Sequence, residues 1–159
     1  MVLPLTKEIK LEFEKGGVLT ATLLEKEAPK TCKLVWDQLP IEQNVLHAML
    51  AGHEIFCNFP MPYELDYENE RNVVNRGEIL AATPISSRIE GKVSLPKGFI
   101  NVCIFYGPAR PRKFGPGGTC DQTCELNLFA KIKELDVMET VGKRIRVHGT
   151  EKVKFTRKQ

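Results

Sequence analysis

The run Phe99 to Tyr106, Phe-Ile-Asn-Val-Cys-Ile-Phe-Tyr, constrains this chain more than any other stretch. Aromatic and β-branched residues follow one another with almost no interruption, which predicts a strand. Further strands are legible around it. Glu8 to Glu14 alternates Ile9, Leu11 and Phe13 with charged residues, Gly16-Gly17 follow, and Val18 to Leu24 resumes the β-rich pattern, so a β-hairpin is expected there. Asn44–Leu50 and His53–Phe59 read as two strands parted by Ala51-Gly52, with Pro60 and Pro62 closing the second. Gly77–Thr83 and Leu126–Ile132 read as two more, and Arg144–Phe155 as one or two closing strands.

Two helices interrupt this β pattern. Pro29 suits a first helical turn, and Cys32, Val35, Trp36 and Leu39 recur at helical spacing until Pro40, which predicts a helix over about 29–39 with Trp36 packed on the sheet. A short helix over Glu134–Val141 is expected to end at Gly142. Glu64–Arg76 reads as a polar loop and Ser86–Lys97 as a solvent-side loop or edge hairpin. Gly107–Gly118, rich in proline and glycine, is expected to form a long irregular loop. The total is a mainly β chain of about eight strands and two short helices.

A length of 159 residues fits one domain, expected to be ordered from about Lys7 to Phe155 with a fraying tail. The 23 basic and 20 acidic side chains leave a formal charge of +3, scattered along the chain, which gives nucleic-acid binding no electrostatic basis. The apolar runs fall short of the ~20 residues that cross a bilayer, and Lys7, Glu8 and Lys10 break up the N-terminal segment as no signal peptide would. A cytoplasmic protein without membrane partners is expected, and a homo-oligomer is compatible with the sequence. Five cysteines, an odd number, argue against a disulfide framework.

Several residues carry chemistry. His47 lies in the apolar run Val45-Leu46-His47-Ala48-Met49-Leu50, where it must find a backbone partner or face a cavity as ligand donor or general base. Glu54 follows across the Gly52 turn and could approach His47 from the next strand, so His47 and Glu54 are the catalytic candidates. Tyr106 ends the strongest strand beside a loop bearing Arg110, Arg112 and Lys113. A hydroxyl and two guanidinium groups there would suit a carboxylate or phosphate, against the alternative of a solvated charged loop. His47, Glu54 and Tyr106 are expected to line one cavity. Cys120-Asp-Gln-Thr-Cys124 falls within zinc-ligand spacing, but no second matched pair accompanies it, so no metal and no cofactor are expected.

The motif Ala28-Pro29-Lys30-Thr31 before the first helix resembles that of the cyclophilins, whose fold is a closed barrel capped by helices at its two ends. Joined to Leu46-His47-Ala48, Gly52-His53-Glu54, Gly77-Glu78-Ile79-Leu80, Phe105-Tyr106-Gly107 and Val141-Gly142-Lys143-Arg144, it resembles a prokaryotic cyclophilin-like family of unknown function. The resemblance implies a cyclophilin-like closed β-barrel, with a histidine at position 47. It also marks a departure. Prolyl isomerases of this fold carry Phe-His-Arg where this chain has Leu46-His47-Ala48, and alanine offers no donor in place of the guanidinium that acts on the prolyl amide. The function expected is therefore binding of a small polar organic molecule or short peptide in a groove near His47. The rivals are a divergent proline-peptide binder with weak isomerase activity, and a non-catalytic subunit of an amide- or lactam-hydrolysing assembly.

Overall fold

The computed structural model describes residues 5–83, 88–89, 92–93, 98–113 and 122–158. The strands in chain order are β1 (Glu8–Phe13), β2 (Val18–Leu23), β3 (Ile41–His47), β4 (Gly52–Pro60), β5 (Glu70–Arg71), β6 (Glu78–Ala82), β7 (Arg88–Ile89), β8 (Lys92–Val93), β9 (Phe99–Ala109), β10 (Arg112–Lys113), β11 (Gln122–Thr123), β12 (Leu126–Ile132) and β13 (Glu151–Arg157). The helices are α1 (Pro29–Asp37) and α2 (Leu135–His148). Eight strands run in the antiparallel order β2-β1-β13-β3-β4-β9-β6-β12, and β12 pairs back onto β2 to close a barrel. Closure removes the exposed edges that an open sheet of this size would carry.

Alternation decides what fills the barrel. Ile9, Leu11 and Phe13 of β1, Ile55, Cys57 and Phe59 of β4, Ile100, Val102, Ile104 and Tyr106 of β9, and Val153 and Phe155 of β13 all point inward into one buried cluster. Phe59 and Phe155 meet edge to face with ring centroids 5.0 Å apart. The outward positions of β9, β6 and β12 are buried too, in a second cluster that includes Leu80, Cys103, Phe105, Cys124, Leu126 and Leu128. From Val102 to Tyr106 both faces of β9 are therefore covered, and no polar alternation shows there.

Each helix is tied down by side chains from distant parts of the chain. At α1, Ala28 supplies no side-chain cap. Instead Glu68, from the loop before β5, accepts hydrogen bonds from the Thr31 backbone N–H and hydroxyl, while Asn127 of β12 donates to the Thr31 hydroxyl and to the Asp66 carbonyl. The buried Thr31 of the Pro-Lys-Thr motif thus joins helix, loop and barrel. At α2, Arg144 binds Glu151 through two hydrogen bonds of 2.7 and 2.9 Å and also donates to the Gly16 carbonyl.

Three expectations are corrected. The second helix does not stop at Gly142 but runs to His148, taking in residues 144–148 that had been expected to begin a strand. Gly142 is inside it because the helix lies against the Tyr106 ring, where an added Cβ would come within 2.3 Å of a ring carbon. The stop is at Gly149, whose φ of +86° suits only glycine well. Second, β3 is set earlier than Asn44–Leu50, because the chain re-enters the sheet directly after Pro40 and turns at Met49-Leu50. Third, Gly107–Gly118 is not irregular throughout, since β9 continues to Ala109 and Arg112–Lys113 pairs with Gln122–Thr123. Positions 114–118 of that segment lie outside the described residues. Neither helix is long and apolar enough to cross a membrane.

Candidate functional site

His47 ends β3 opposite Ile55, so the pleat turns it inward, toward the end of the barrel that α2 covers. There its Nε2 lies 2.6 Å from the Tyr106 hydroxyl. The Tyr106 ring is 1% exposed, held edge-on by His47 at 5.7 Å and His53 at 5.2 Å between centroids and covered by Gly142. Burial raises the Tyr106 pKa against the opposing charge of Arg146, one helical turn beyond Gly142. The other ring nitrogen of His47, Nδ1, is buried and has no partner among the described residues. Burial, then the charges of Arg146 and His53, lowers the His47 pKa. The arrangement is an interlock of β3, β4, β9 and α2 around a covered phenol.

Glu54 sits on the other face of the same sheet. It pairs with Phe105, and Phe56 pairs with Cys103, so the side chains of Glu54 and Phe56 point outward with the second cluster while Ile55 points in. The expectation that His47, Glu54 and Tyr106 line one cavity is therefore corrected. His47 and Tyr106 meet, but Glu54 pairs with Phe105 and shares its outward parity, and the register irregularity beside it lies on β9, where Tyr106, Gly107 and Pro108 stand against the single residue His53. Glu54 is 7% exposed. Burial pushes its carboxyl up to about 7, against an opposing hydrogen bond from the Cys103 thiol. The thiol is itself pushed far up by burial and by the neighbouring carboxylate.

Further along the same outward face, Asn58 pairs with Asn101, and the Asn58 Oδ1 is buried with no partner among the described residues. Next to it on β3, Leu46 faces Phe56 and is exposed, so this side of the face reaches solvent. Glu54, Phe56 and Asn58 thus form a strip of two acceptors flanking an aromatic ring. A buried carboxyl able to take up or release a proton near neutral pH, in an apolar setting, suits acid–base work.

The other expected site residues are scattered. Arg110 is exposed just past β9, its backbone N–H bound to the Ala51 carbonyl, and Tyr106 is buried inside the barrel, so they do not form one anion cradle. The side chain of Arg112 and the whole of Cys120 lie outside the described residues. Cys124 belongs to the outer cluster. Among the described residues no three His, Cys, Asp or Glu side chains gather where they could hold a metal ion. Sequence reasoning missed Cys103 and Asn58 as neighbours of Glu54; the period-2 count along Glu54, Phe56 and Asn58 could have found the second.

Residues 11–157 match the family described as Protein of unknown function (DUF3830). No curated protein matches the chain. Among solved structures, McbB in complex with tryptophan is similar at a TM-score of 0.67 and 16% identity, over 94% of this chain and 44% of that one. This chain therefore spans less than half the length of McbB. A hypothetical protein from Archaeoglobus fulgidus is similar at 0.58 and 21% identity, over 96% and 95% of the two chains. A cyclophilin-type peptidyl-prolyl cis-trans isomerase from Cryptosporidium parvum is similar at 0.56 and 13%, over 98% and 99%. At these identities the likeness is one of fold, and the fold is the cyclophilin-like barrel.

Proposed function

Because this chain belongs to the family described as Protein of unknown function (DUF3830), which brings no activity with it, we propose a function from the geometry alone. The barrel binds a small polar organic molecule or short peptide on the outward face of β4 and β9, and Glu54 is the group that exchanges a proton with it. The observation that carries this is a carboxyl 7% exposed on the outward face beside Phe56 and Phe105, which burial raises to about 7. Such a group is costly to keep in a fold unless a ligand uses it. His47 has a different part: its bond to the Tyr106 phenol ties β3 to β9 beneath α2, and a ligand could reach that phenol only if the helix moved.

A thermal-shift screen with small amines, amides, carboxylates and proline peptides tests the placement, since a ligand that binds only the native state raises its melting temperature. The shift produced by a hit is expected to vanish in Glu54→Gln and to persist in His47→Gln. The reverse pattern would move the site to the barrel end. Prolyl isomerase activity is expected to be negligible on a standard peptide, because Ala48 occupies the place of the donating arginine. Acceleration on the scale of an ordinary cyclophilin in a protease-coupled assay would overturn that expectation and favour the proline-peptide alternative.

A further inference from the structure

We propose that the tip of the β3–β4 hairpin docks on an anionic lipid surface, its apolar side chains entering the interface while the cations around it meet the headgroups. The proposal is independent of the outward face and rests on a separation of charge that the fold creates. Along the chain the basic and acidic side chains are mixed, yet three segments far apart in sequence meet on one side of the barrel end. The hairpin segment 45–53 holds no acidic residue, and neither do 106–113, from the end of β9 into β10, or 142–150, at the C-terminal end of α2. Arg110, Arg112, Lys113, Lys143, Arg144 and Arg146 all fall in the last two. Hydrogen bonds and pairing join the three: the Arg110 backbone N–H donates to the Ala51 carbonyl, Gly52 pairs with Ala109, and the Thr150 hydroxyl donates to the Val45 carbonyl.

At the tip Met49 is 53% exposed and Leu50 64%, in a turn whose neighbours Ala48, Ala51 and Gly52 carry no polar side chain. Val147, also exposed, stands between Arg146 and His148. Lys143 pairs with Glu139 and Arg144 with Glu151, whereas Arg110 and Arg146 are exposed and have no ion pair among the described residues. Of the carboxylates nearby, Glu54 is buried, Glu139 and Glu151 are already paired, and Glu125 is exposed just past β11.

The negative end of the α2 dipole accounts for Arg146 and His148. It does not account for Arg110 on another element, nor for two large apolar side chains left exposed at the same end. A protruding apolar turn with cations beside it matches a partner that offers an apolar layer beneath a negative surface, which a bilayer of anionic lipid does. A nucleic acid has the charge without the layer. No helix among the described residues can cross a membrane, so the contact is peripheral. The expectation of no membrane partner was drawn from the length of the apolar runs, which a surface contact does not require.

Co-sedimentation with vesicles of phosphatidylcholine alone, and with about 30% phosphatidylglycerol added, tests the proposal. Binding is expected to the anionic vesicles only, and to weaken about tenfold when salt is raised from about 0.1 M to about 0.5 M. Met49→Ser combined with Leu50→Ser should lower the affinity at least about tenfold by removing apolar burial. Arg110→Gln combined with Arg146→Gln should lower it by a similar factor and flatten the salt dependence. Because the four side chains are exposed, both double variants should melt close to the unsubstituted protein. Undiminished binding by the Met49/Leu50 variant would reduce the contact to general adsorption of a basic protein and overturn the proposal. Absence of binding to the anionic vesicles overturns it too, and a dimer seen by light scattering that the same variant breaks would then assign the tip to a second copy of this chain.

Discussion

The Glu54→Gln variant is expected to gain about 3 kcal/mol of stability relative to the unsubstituted protein between about pH 4.5 and pH 8, since each pH unit is worth about 1.4 kcal/mol and the carboxyl is raised from 4.5 to about 7. The unfolded chain loses the Glu54 proton near 4.5, the folded chain only near 7. Between those values the unfolded state binds fewer protons, so stability falls as pH rises. Below the window both states are protonated and the group contributes nothing. Above it both are ionised and the full loss persists. Glutamine cannot ionise and escapes the loss. Urea unfolding of both proteins at the two ends of the window, compared at equal slope, measures the difference. A gap that stays constant with pH would show that Glu54 is solvated in solution, and the proposed site would lose its support.

Replacing Arg144 with methionine should cost about 3 kcal/mol, because it strips the cation from a carboxylate whose side chain is fully buried. Glu151 also accepts the Lys15 backbone N–H, a partner that remains but carries no charge. Burial alone would raise the Glu151 pKa, yet its bonds to Arg144 and Lys15 hold it below the ordinary carboxylate value. Its stabilising contribution is therefore present above the ordinary range and lost as acid titrates the folded protein through its lowered pKa. Arg144→Met should unfold in less urea at neutral pH and show less of this acid sensitivity. Removing both partners, with Glu151→Leu added, should recover much of the loss. A single-variant cost below about 1 kcal/mol would mean that the pair adds nothing beyond a surface ion pair.

Much of the barrel could be read in advance because its signals are local. The hairpin of β1 and β2, the strand at Leu126–Ile132 and the start of α1 at Pro29 depend on alternation, glycine turns and proline, all visible within a few residues. Gly142 was misread because a glycine in a helical run carries the same local sign whether it ends the helix or makes room for a neighbour. Only the Tyr106 ring, brought in from β9, distinguishes the two. The site followed the same division. The meeting of His47 with Tyr106 agrees with both side chains pointing inward near one end of the barrel. The position of Glu54 instead follows from the parity of β4, where Ile55, Cys57 and Phe59 point inward and the residue before Ile55 therefore points out.

Barrel closure also bears on how the protein is made. β1 lies between β2 and β13, with Ile9 opposite Arg157, and β2 finds its second neighbour in β12. During synthesis the first hairpin leaves the ribosome long before either late strand exists, and at about 5–20 residues per second it waits several seconds with both outer edges unpaired. Pairings so distant in sequence form slowly even once the whole chain is free. The charged side chains that alternate along β1, Glu8, Lys10 and Glu12, then have a second use: they keep an unfinished edge from pairing with another nascent chain.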